Sequence, residues 1–294
     1  MRILISGASG LVGTALCAYL ESCGHTPVPL SRSRIENQPW WDLSTGEINW
    51  GAEPDFEVVI HLAGENIASG RWDRRRKERI RMSRVSGTTL LAQSLAEKGH
   101  KPRLLISASA VGFYGDRGDE ELTEESDAGS GFLAQICQEW EEACAPASAA
   151  GIRTVNTRLG LVLSPNGGAL QKMLPPFRLG LGGPLGNGRQ FISWIDIDDL
   201  CRAIGHIIQT QALQGPVNLV SPEPVRNKEF AATLGRVIGR PAVLAVPSPA
   251  LRLLLGEMAD ALLLSSVRVV PQKLHDSGFT FTHPDLYGAL QQNT

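Results

Sequence analysis

The chain has 294 residues, of which 43% are hydrophobic and 20% charged, the size and composition of one large α/β domain with an added lobe. Its formal net charge of −2 gives no reason to expect nucleic acid or an anionic membrane as the main partner. The five cysteines include no C-x-x-C pair, which predicts reduced, mostly buried thiols in a cytoplasmic protein, and no metal site is assigned.

Strands and helices alternate through the first 163 residues of the chain. Strands are predicted at 2–6, 26–30, 57–64, 103–109 and 152–163, and helices at 11–24, about 73–97 and 131–149. Gly24 suits the end of the first helix, and the prolines of the second strand suit the edge of a sheet. No hairpin signal interrupts the alternation. This order predicts a Rossmann-type, doubly wound parallel sheet.

The pattern loosens beyond about residue 165. Residues 164–190 are rich in glycine and proline, which predicts a loop with a short helix, whereas 192–208 form another strand-to-helix unit. Three acidic residues lie near the start of that helix, where negative charge is favoured: Asp196, Asp198 and Asp199. The predicted organisation is a first domain over 1–165, a smaller C-terminal α/β lobe over 166–294, and a return to the first domain over 192–212.

No apolar segment of the chain predicts export or a membrane span. The amino-terminal MRILISGASG has no long apolar region and turns at once into a glycine loop, unlike a signal peptide. Residues 251–270 contain too many charges for a transmembrane helix, namely Arg252, Glu257, Asp260 and Arg268.

A glycine-rich turn separates the first predicted strand from the first predicted helix. Its sequence is Gly7-Ala-Ser-Gly10-Leu-Val-Gly13, with the G-x-x-G-x-x-G spacing. Glycines at these positions allow a tight turn and let a pyrophosphate approach the backbone at the positive end of the helix. A glycine turn without a ligand is the alternative. The predicted cofactor contacts of this turn are Gly7, Ser9, Gly10, Leu11, Val12 and Gly13.

The residues that follow the second strand indicate which dinucleotide is bound. A site for NAD normally has an acidic residue there, which binds the ribose 2′-hydroxyl, and none occurs before Glu36. Ser31 and Arg32 instead match a 2′-phosphate, because a guanidinium pairs well with phosphate oxygens. A solvated loop arginine is the alternative. The sequence therefore predicts NADP(H) as the cofactor, with Ser31 and Arg32 as contacts.

Several motifs resemble those of extended short-chain dehydrogenases/reductases. The segments are His61-Leu62-Ala63-Gly64, Arg84-Val85-Ser86-Gly87-Thr88, Ser107-Ala108-Ser109-Ala110-Val111 and Trp194-Ile195-Asp196-Ile197-Asp198-Asp199. The phrases at 63–67, 173–190 and 221–231 are more specific and resemble the atypical epimerase family proteins. The resemblance covers essentially the full chain and implies the fold and NADP(H) binding. It also implies cofactor contacts at Leu62, Ala63, Gly64, Arg84 and Val162.

The resemblance predicts a catalytic tyrosine and lysine within FLAQICQEWE, residues 132–141, and neither is there. Alignment on the glutamate that follows this pair in extended members, Glu141, puts Leu133 and Cys137 in their places. None of the three tyrosines of the chain is followed by a lysine four residues later. An apolar stripe instead predicts a helix that packs, formed by Phe132, Ile136, Trp140 and Cys144. A nucleophilic role for Cys137 is the weaker reading, because a buried structural cysteine is commoner.

Other polar residues are candidates for the missing chemistry. Ser109 matches the active-site serine and could bind a substrate carbonyl or alcohol. Tyr114 follows in a glycine-bordered loop that could bring its phenol to the site, with a packed loop tyrosine as the alternative. The predicted substrate-binding residues are Glu65, Asn66, Arg178, Arg189 and Gln190, and Arg84 could also bind an anion. Structural loop roles are the alternative for these residues.

These observations predict an NADP(H)-dependent oxidoreductase or epimerase-like enzyme that acts on a small anionic or sugar-like substrate. The missing tyrosine and lysine leave a rival prediction, an NADP(H)-binding sensor or regulatory protein without turnover. The basic run at 71–84 is otherwise expected to be a solvated helix face that binds no nucleic acid. A small-molecule substrate is the expected partner, and a homodimer is the assembly considered.

Overall fold

The computed structural model describes all residues from 1 to 294. The strands are β1 (Arg2–Ser6), β2 (Thr26–Leu30), β3 (Trp40–Asp42), β4 (Glu47–Asn49), β5 (Val58–His61), β6 (Leu104–Ala110), β7 (Glu121–Leu122), β8 (Arg153–Leu159), β9 (Leu161–Leu163), β10 (Phe191–Ile192), β11 (Trp194–Asp196), β12 (Gly215–Leu219), β13 (Val225–Arg226) and β14 (Arg268–Val269). The helices are α1 (Leu11–Ser22), α2 (Arg74–Ala96), α3 (Phe132–Glu142), α4 (Ala145–Ala149), α5 (Gly168–Arg178), α6 (Ile197–Gln209), α7 (Asn227–Val237), α8 (Ser248–Leu255), α9 (Glu257–Ala259), α10 (Gln272–Asp276) and α11 (Leu286–Asn293). A 3-10 turn spans Val111–Tyr114, and a π-helical turn spans Asp260–Leu264.

A six-stranded parallel sheet in the order β12-β8-β6-β5-β1-β2 forms the centre of the protein. Alternate residues of β1 face opposite layers: Ile3 and Ile5 pack under α1 and α6, and Leu4 packs under α2 and α4. Helices thus cover both faces, which explains the continuous apolar strands. The predicted doubly wound parallel sheet is confirmed, and β2 with its prolines lies at an edge.

Two predicted elements are each divided in the structure. The helix predicted at 131–149 is two helices, α3 and α4, with Pro146 in the first turn of α4, where its missing N–H is tolerated. The strand predicted at 152–163 leaves the central sheet at Gly160, and β9 pairs with β11 instead. A Cβ on Gly160 would lie 2.7 Å from the Ser193 carbonyl oxygen, so the crossing needs glycine.

The structure contains a hairpin, although no hairpin signal was identified in the sequence. β3 and β4 pair antiparallel between β2 and β5. Their turn is closed by Asp42, whose carboxylate accepts a hydrogen bond of 2.9 Å from the Ser44 N–H. This short-range turn signal was present in the sequence. The hairpin buries Trp41 against the α2 side of the sheet, where its ring meets His61 edge-on at 5.6 Å.

A second apolar core lies beside the sheet, in the C-terminal part of the chain. It is formed mainly by α5, α7 and α11 around Trp194 and Phe230. The strand-to-helix unit of β11 and α6 joins this core to the sheet, because α6 packs on the sheet with α1. β12, which follows α6, is the sixth strand of the sheet. No helix combines the length and the apolar character that crossing a membrane requires.

Candidate functional site

The glycine turn after β1 leaves a backbone surface open to a ligand. A Cβ on Gly13 would lie 2.2 Å from the Gly7 carbonyl oxygen, and a Cβ on Gly7 would lie 2.9 Å from the Ala63 nitrogen. Helix α1 begins at Leu11 without a side-chain cap, and the N–H groups of Leu11, Val12 and Gly13 have no hydrogen-bond partner. Free N–H groups at a helix start suit a phosphate. Ser9 and Gly10 are exposed beside them.

The end of β2 carries one arginine without a partner. Arg32 is exposed and makes no hydrogen bond or ion pair, whereas Arg34 pairs with Glu47 at 2.9 Å and lies over the Trp40 ring at 4.4 Å. The Ser31 hydroxyl accepts a hydrogen bond of 3.0 Å from the Ser33 N–H, which holds this turn. The Arg32 guanidinium is therefore the cation available to a group bound at the end of β2.

The segment after β5 lies between the glycine turn and α2. Leu62 donates its N–H to the Ser6 carbonyl, and Ala63 donates to the Ser6 hydroxyl at 3.3 Å. That hydroxyl also bonds His61 Nδ1 at 2.6 Å, and burial lowers the pKa of His61 to about 4, so the imidazole is neutral near pH 7. These bonds fix the segment against the glycine turn.

Arg84 of α2 reaches into the same region. Its Nη1 donates to the Glu65 carbonyl at 3.0 Å, and its guanidinium lies 5.0 Å over the Trp140 ring. A Cβ on Gly64 would lie 3.4 Å from the Arg84 Cζ, so Gly64 and the guanidinium are in contact. Burial lowers the pKa of Arg84, and no carboxylate forms an ion pair with it. A half-buried guanidinium without a counter-ion can take an anionic or hydroxyl-rich ligand.

Ser109, at the end of β6, begins a chain of buried hydrogen bonds. Its hydroxyl donates to Glu141 Oε1 at 2.7 Å. Arg158 holds both oxygens of that carboxylate, with two bonds of 2.9 Å, and donates a third bond of 2.9 Å to the Tyr114 hydroxyl. The Tyr114 hydroxyl in turn donates to Asn218 Oδ1 at 2.7 Å. The serine is thus linked to a carboxyl group that Arg158 holds in place.

Tyr114 does not reach the cleft as its glycine-bordered loop predicted. The residue is completely buried, and burial raises the pKa of its phenol to about 12, although the Arg158 charge opposes the rise. The 3-10 turn after β6 directs the ring inward, where it packs with Leu122, Val220 and Val269. The phenol hydroxyl is occupied by Arg158 and Asn218, so it orients Arg158 from within the protein core.

The two positions assigned to the missing tyrosine and lysine contribute to packing. A Cβ on Gly112 would lie 3.4 Å from the Leu133 Cβ and 3.9 Å from the Cys137 Sγ. Burial raises the pKa of the Cys137 thiol to about 12, which makes it a poor nucleophile. Phe132 meets the Trp72 ring edge-on at 5.2 Å. The predicted packing helix is confirmed.

The predicted substrate residues differ in how free their side chains are. Glu65 Oε1 accepts a hydrogen bond of 2.6 Å from buried Arg76, and the Asn66 side chain accepts one of 2.8 Å from the Ala68 N–H, so both stabilise the loop. Gln190 is buried and donates to the carbonyls of Leu185 and Leu263, which ties a glycine turn to the π-helical turn. Only the side chains of Arg178 and Arg189 are exposed and unpaired.

Val162 and the loop after it border the glycine turn. Val162 pairs with Ile195 through β9 and β11 and packs against the sheet core. A Cβ on Gly168 would lie 2.9 Å from the Leu11 Cδ2, so the start of α5 contacts the start of α1. This contact places the loop after β9 beside the glycine turn.

Glu141 and Arg158 are the site residues that sequence analysis missed. The sequence motifs mark Glu141 only as an alignment position and do not mark Arg158. A signal for both existed: a glutamate adjoins the apolar stripe of α3, and an arginine lies inside a buried strand, β8. Charged residues in such places are paired in folded proteins.

The parallel sheet, the glycine turn before an uncapped helix and the serine at the end of a neighbouring strand define a protein with a Rossmann-type dinucleotide-binding fold. The chain belongs to the NAD dependent epimerase/dehydratase family, whose model matches residues 3–219. Residues 246–292 match a domain of unknown function, DUF1731. The assignment made from the sequence motifs is confirmed.

Relatives resemble this chain over its full length. An epimerase family protein of Mycobacterium bovis is 43% identical over 290 residues, which cover 98% of this chain and 96% of that protein. Human epimerase family protein SDR39U1 (isoform 2), solved with NADPH, has a TM-score of 0.92 and 33% identity, over 100% of this chain and 99% of that one. A nucleoside-diphosphate sugar epimerase from Corynebacterium glutamicum has a TM-score of 0.81 and 37% identity, over 100% of this chain and 58% of that one.

Proposed function

We propose that this protein is an NADP(H)-dependent oxidoreductase of the epimerase type, acting on a hydroxyl or carbonyl group of a small anionic or sugar-like substrate. The observation that carries the proposal is the hydrogen bond of 2.7 Å from Ser109 to Glu141, beside the dinucleotide cleft. It joins the hydroxyl of Ser109, a residue 1% exposed near the end of β6 that a substrate in the cleft would have to reach, to a carboxylate that can take a proton.

The residues around the cleft fit NADP(H) in three respects. The cradle formed by Gly7 and Gly13 has no room for side chains, the N–H groups of α1 are free, and Arg32 is an unpaired cation at the end of β2. A free arginine at that position favours a 2′-phosphate over a 2′-hydroxyl. The NADPH in the crystal structure of the human relative supports the same choice.

Bound NADP(H) would supply or accept the hydride at its nicotinamide ring. When a substrate alcohol is oxidised, its hydroxyl proton passes to the Ser109 Oγ while the Ser109 proton passes to Glu141 Oε1. When a carbonyl is reduced, both protons move in the opposite direction. Arg158 and, through it, Tyr114 hold the carboxylate so that its oxygen faces the serine. Tyr114 is then a positioning residue, not the acid itself.

The exposed arginines of the C-terminal region support an anionic substrate. Arg178 and Arg189 have free guanidinium groups next to glycine turns, where backbone N–H groups can add to anion binding. Glu65 and Asn66 hold the loop after β5 in place and would contact the substrate mainly through backbone groups.

The second candidate is an NADP(H)-binding sensor without turnover. The observation that favours it is the filling of the tyrosine and lysine positions by Leu133 and Cys137, together with the burial of Tyr114. A sensor would use the cleft but would not need proton transfer at Ser109.

Binding and turnover by the purified protein test the proposal. NADPH and NADH affinities are measured by calorimetry, and NADPH oxidation is followed with a panel of carbonyl compounds and sugar nucleotides. We expect tighter binding of NADPH and turnover of at least one compound, and Ser109→Ala should slow that turnover by about a hundredfold to ten-thousandfold. Ser22→Ala, an exposed serine of α1, is the control. Turnover unaffected by Ser109→Ala would contradict the proton route, and absence of binding would contradict both candidates.

A further inference from the structure

Charge is distributed unevenly along the chain, although its sum is only −2. Residues 116–127 contain seven acidic residues and one arginine, whereas residues 164–195 contain no acidic residue. Residues 225–256 contain one, Glu229, and its carboxylate already accepts a hydrogen bond of 3.1 Å from the Arg226 N–H. The net charge, which gave no reason to expect an anionic membrane as the main partner, therefore conceals a basic part of the C-terminal region.

The two segments without free acidic residues, 164–195 and 225–256, carry exposed groups that the protein itself does not satisfy. Their exposed cations without an ion pair are Lys172, Arg178, Arg189, Lys228, Arg236 and Arg240. The same segments contain six of the ten exposed large hydrophobic side chains of the chain, namely Leu179, Leu181, Val243, Leu244, Leu253 and Leu254. Exposed apolar side chains that lie together within a polar rim mark an interaction site.

Four of these apolar side chains lie on two loops that run side by side. Backbone hydrogen bonds join the loops, from the Leu244 N–H to the Gly182 carbonyl at 3.1 Å and from the Val246 N–H to the Pro184 carbonyl at 2.9 Å. Gly183 permits this approach, because a Cβ there would lie 2.3 Å from the Leu244 carbonyl oxygen. The surface formed by Leu179, Leu181, Val243 and Leu244 is called the apolar patch below.

Two cations outside the candidate functional site border the apolar patch. Arg240 directly precedes Pro241, whose ring lies 3.8 Å from the Cβ position of Gly180, between Leu179 and Leu181. Lys172 is exposed on α5 seven residues before Leu179, so the two residues lie on the same side of that helix. The apolar patch is thus flanked by positive charge.

The shape and charge of the apolar patch indicate what covers it. Leu179 and Val243 are 74% and 77% exposed, so they project from the surface and do not line a groove into which a peptide could dock. A second copy of the chain related by a two-fold axis would bring one basic rim against the other. Nucleic acid would use the cations but has no use for aliphatic side chains.

We propose that the apolar patch, together with Lys172 and Arg240, docks onto the surface of an anionic phospholipid bilayer. The cations attract the anionic headgroups, and Leu179 and Val243 enter the boundary between headgroups and acyl chains. A bilayer can deform around projecting side chains, and its negative charge complements the basic rim. This proposal goes beyond the proposed function and does not depend on it.

Co-sedimentation of the full chain with phospholipid vesicles tests the proposal. One set of vesicles is phosphatidylcholine alone, and the other is an equal mixture of phosphatidylcholine and phosphatidylserine. The wild-type protein should bind the mixture in preference, and less strongly as the salt concentration rises. Lys172→Gln with Arg240→Gln should weaken this binding about twenty-fivefold, because each cation near an anionic surface contributes about fivefold. Leu179→Ser with Val243→Ser should weaken it by about tenfold for each side chain removed from the bilayer.

Arg74→Gln with Arg75→Gln is the matched control. These two arginines of α2 are exposed and form no ion pair, so the control changes the net charge by the same amount on the other side of the chain's two lobes. It should leave binding to the mixed vesicles close to that of the wild type. All the substituted residues are exposed, so an unchanged melting temperature verifies that each variant is folded.

Wild-type protein that does not bind the mixed vesicles, or binds phosphatidylcholine alone equally well, would overturn the proposal. Unchanged binding by both patch variants would also overturn it, as would an equal loss in the control, because binding would then follow the net charge. Sedimentation velocity without lipid covers the remaining alternative. If the wild type self-associates and Leu179→Ser with Val243→Ser abolishes that association, the apolar patch joins copies of the chain and the lipid assignment is wrong.

Discussion

Replacement of Arg158 by methionine should be strongly destabilising. The Arg158 and Glu141 side chains are 4% and 12% exposed, so solvent does little to screen their charges. Arg158→Met leaves the Glu141 carboxylate buried with only the Ser109 hydroxyl as a partner, and it removes a donor from Tyr114. Breaking a buried ion pair in this way costs about 3–5 kcal/mol.

The expected shift in melting temperature follows from the chain length. Unfolding entropy is about 2.1 cal/mol/K per residue, or about 0.6 kcal/mol/K for 294 residues, so the loss corresponds to about 5–8 °C in Tm. Urea denaturation at neutral pH and calorimetry give the two quantities independently. The double variant Arg158→Met with Glu141→Leu should recover much of the stability, because no unpaired charge remains.

A loss below about 1 kcal/mol for Arg158→Met, the range of an exposed pair, would refute the buried pair. The buried pair would also be refuted if the double variant lost as much stability as the two single variants together, because the effects of independent residues are additive and those of paired residues are not. Arg153→Met is a useful comparison: that arginine donates to carbonyls at the end of α6, including Thr210 at 2.9 Å, and its removal leaves no carboxylate unpaired.

Two further predictions concern the cofactor cradle and the pH dependence of stability. Gly13→Ala should abolish NADPH binding measured by calorimetry, because the added Cβ would lie 2.2 Å from the Gly7 carbonyl oxygen. Gly99→Ala is the control and should leave binding unchanged, because nothing lies within 4 Å of its Cβ position. If the Gly13→Ala variant still binds NADPH, the glycine turn is not the phosphate-binding site. Burial lowers the pKa of His61 from 6.5 to about 4, so on acidification the unfolded chain protonates this imidazole before the folded chain does. The free energy of unfolding therefore has its full His61 contribution above pH 6.5 and loses about 3 kcal/mol of it as the pH approaches 4. His61→Asn should flatten urea-unfolding stability across that range, and an unchanged slope would contradict the assignment.

The fold was predictable from the sequence where local patterns agree with tertiary packing. Apolar runs such as RILIS and VVIH gave the strands of a two-sided sheet, and Gly24 gave the end of α1. The predicted elements differ from the structure where contacts between distant residues determine the fold. β9 leaves the sheet because Gly160 must pass close to Ser193, and β12, with Gly215 and Pro216, becomes a strand only by pairing with β8.

The distinction between local patterns and distant contacts also applies to the candidate site. The glycine turn and Arg32 could be found because their roles follow from neighbours in sequence. The link from Ser109 to Glu141 spans 32 residues and the link from Tyr114 to Asn218 spans 104, so no local pattern contains them. The direction of the Tyr114 ring depended on the partners of its hydroxyl, which lie on β8 and β12.

The buried ion pair of Glu141 and Arg158, which is bonded to Ser109, favours the proposed enzyme over the proposed sensor. Buried ion pairs add little net stability, and well-packed apolar residues in their place are often neutral or stabilising. A protein that only binds a dinucleotide could therefore fill this space with apolar side chains, as it does at Leu133 and Cys137. The structure instead has the Glu141 carboxyl group within 2.7 Å of a serine hydroxyl and holds it with two bonds from Arg158. A carboxylate fixed in that way suits the proposed function, in which it would receive or return the proton that accompanies hydride transfer.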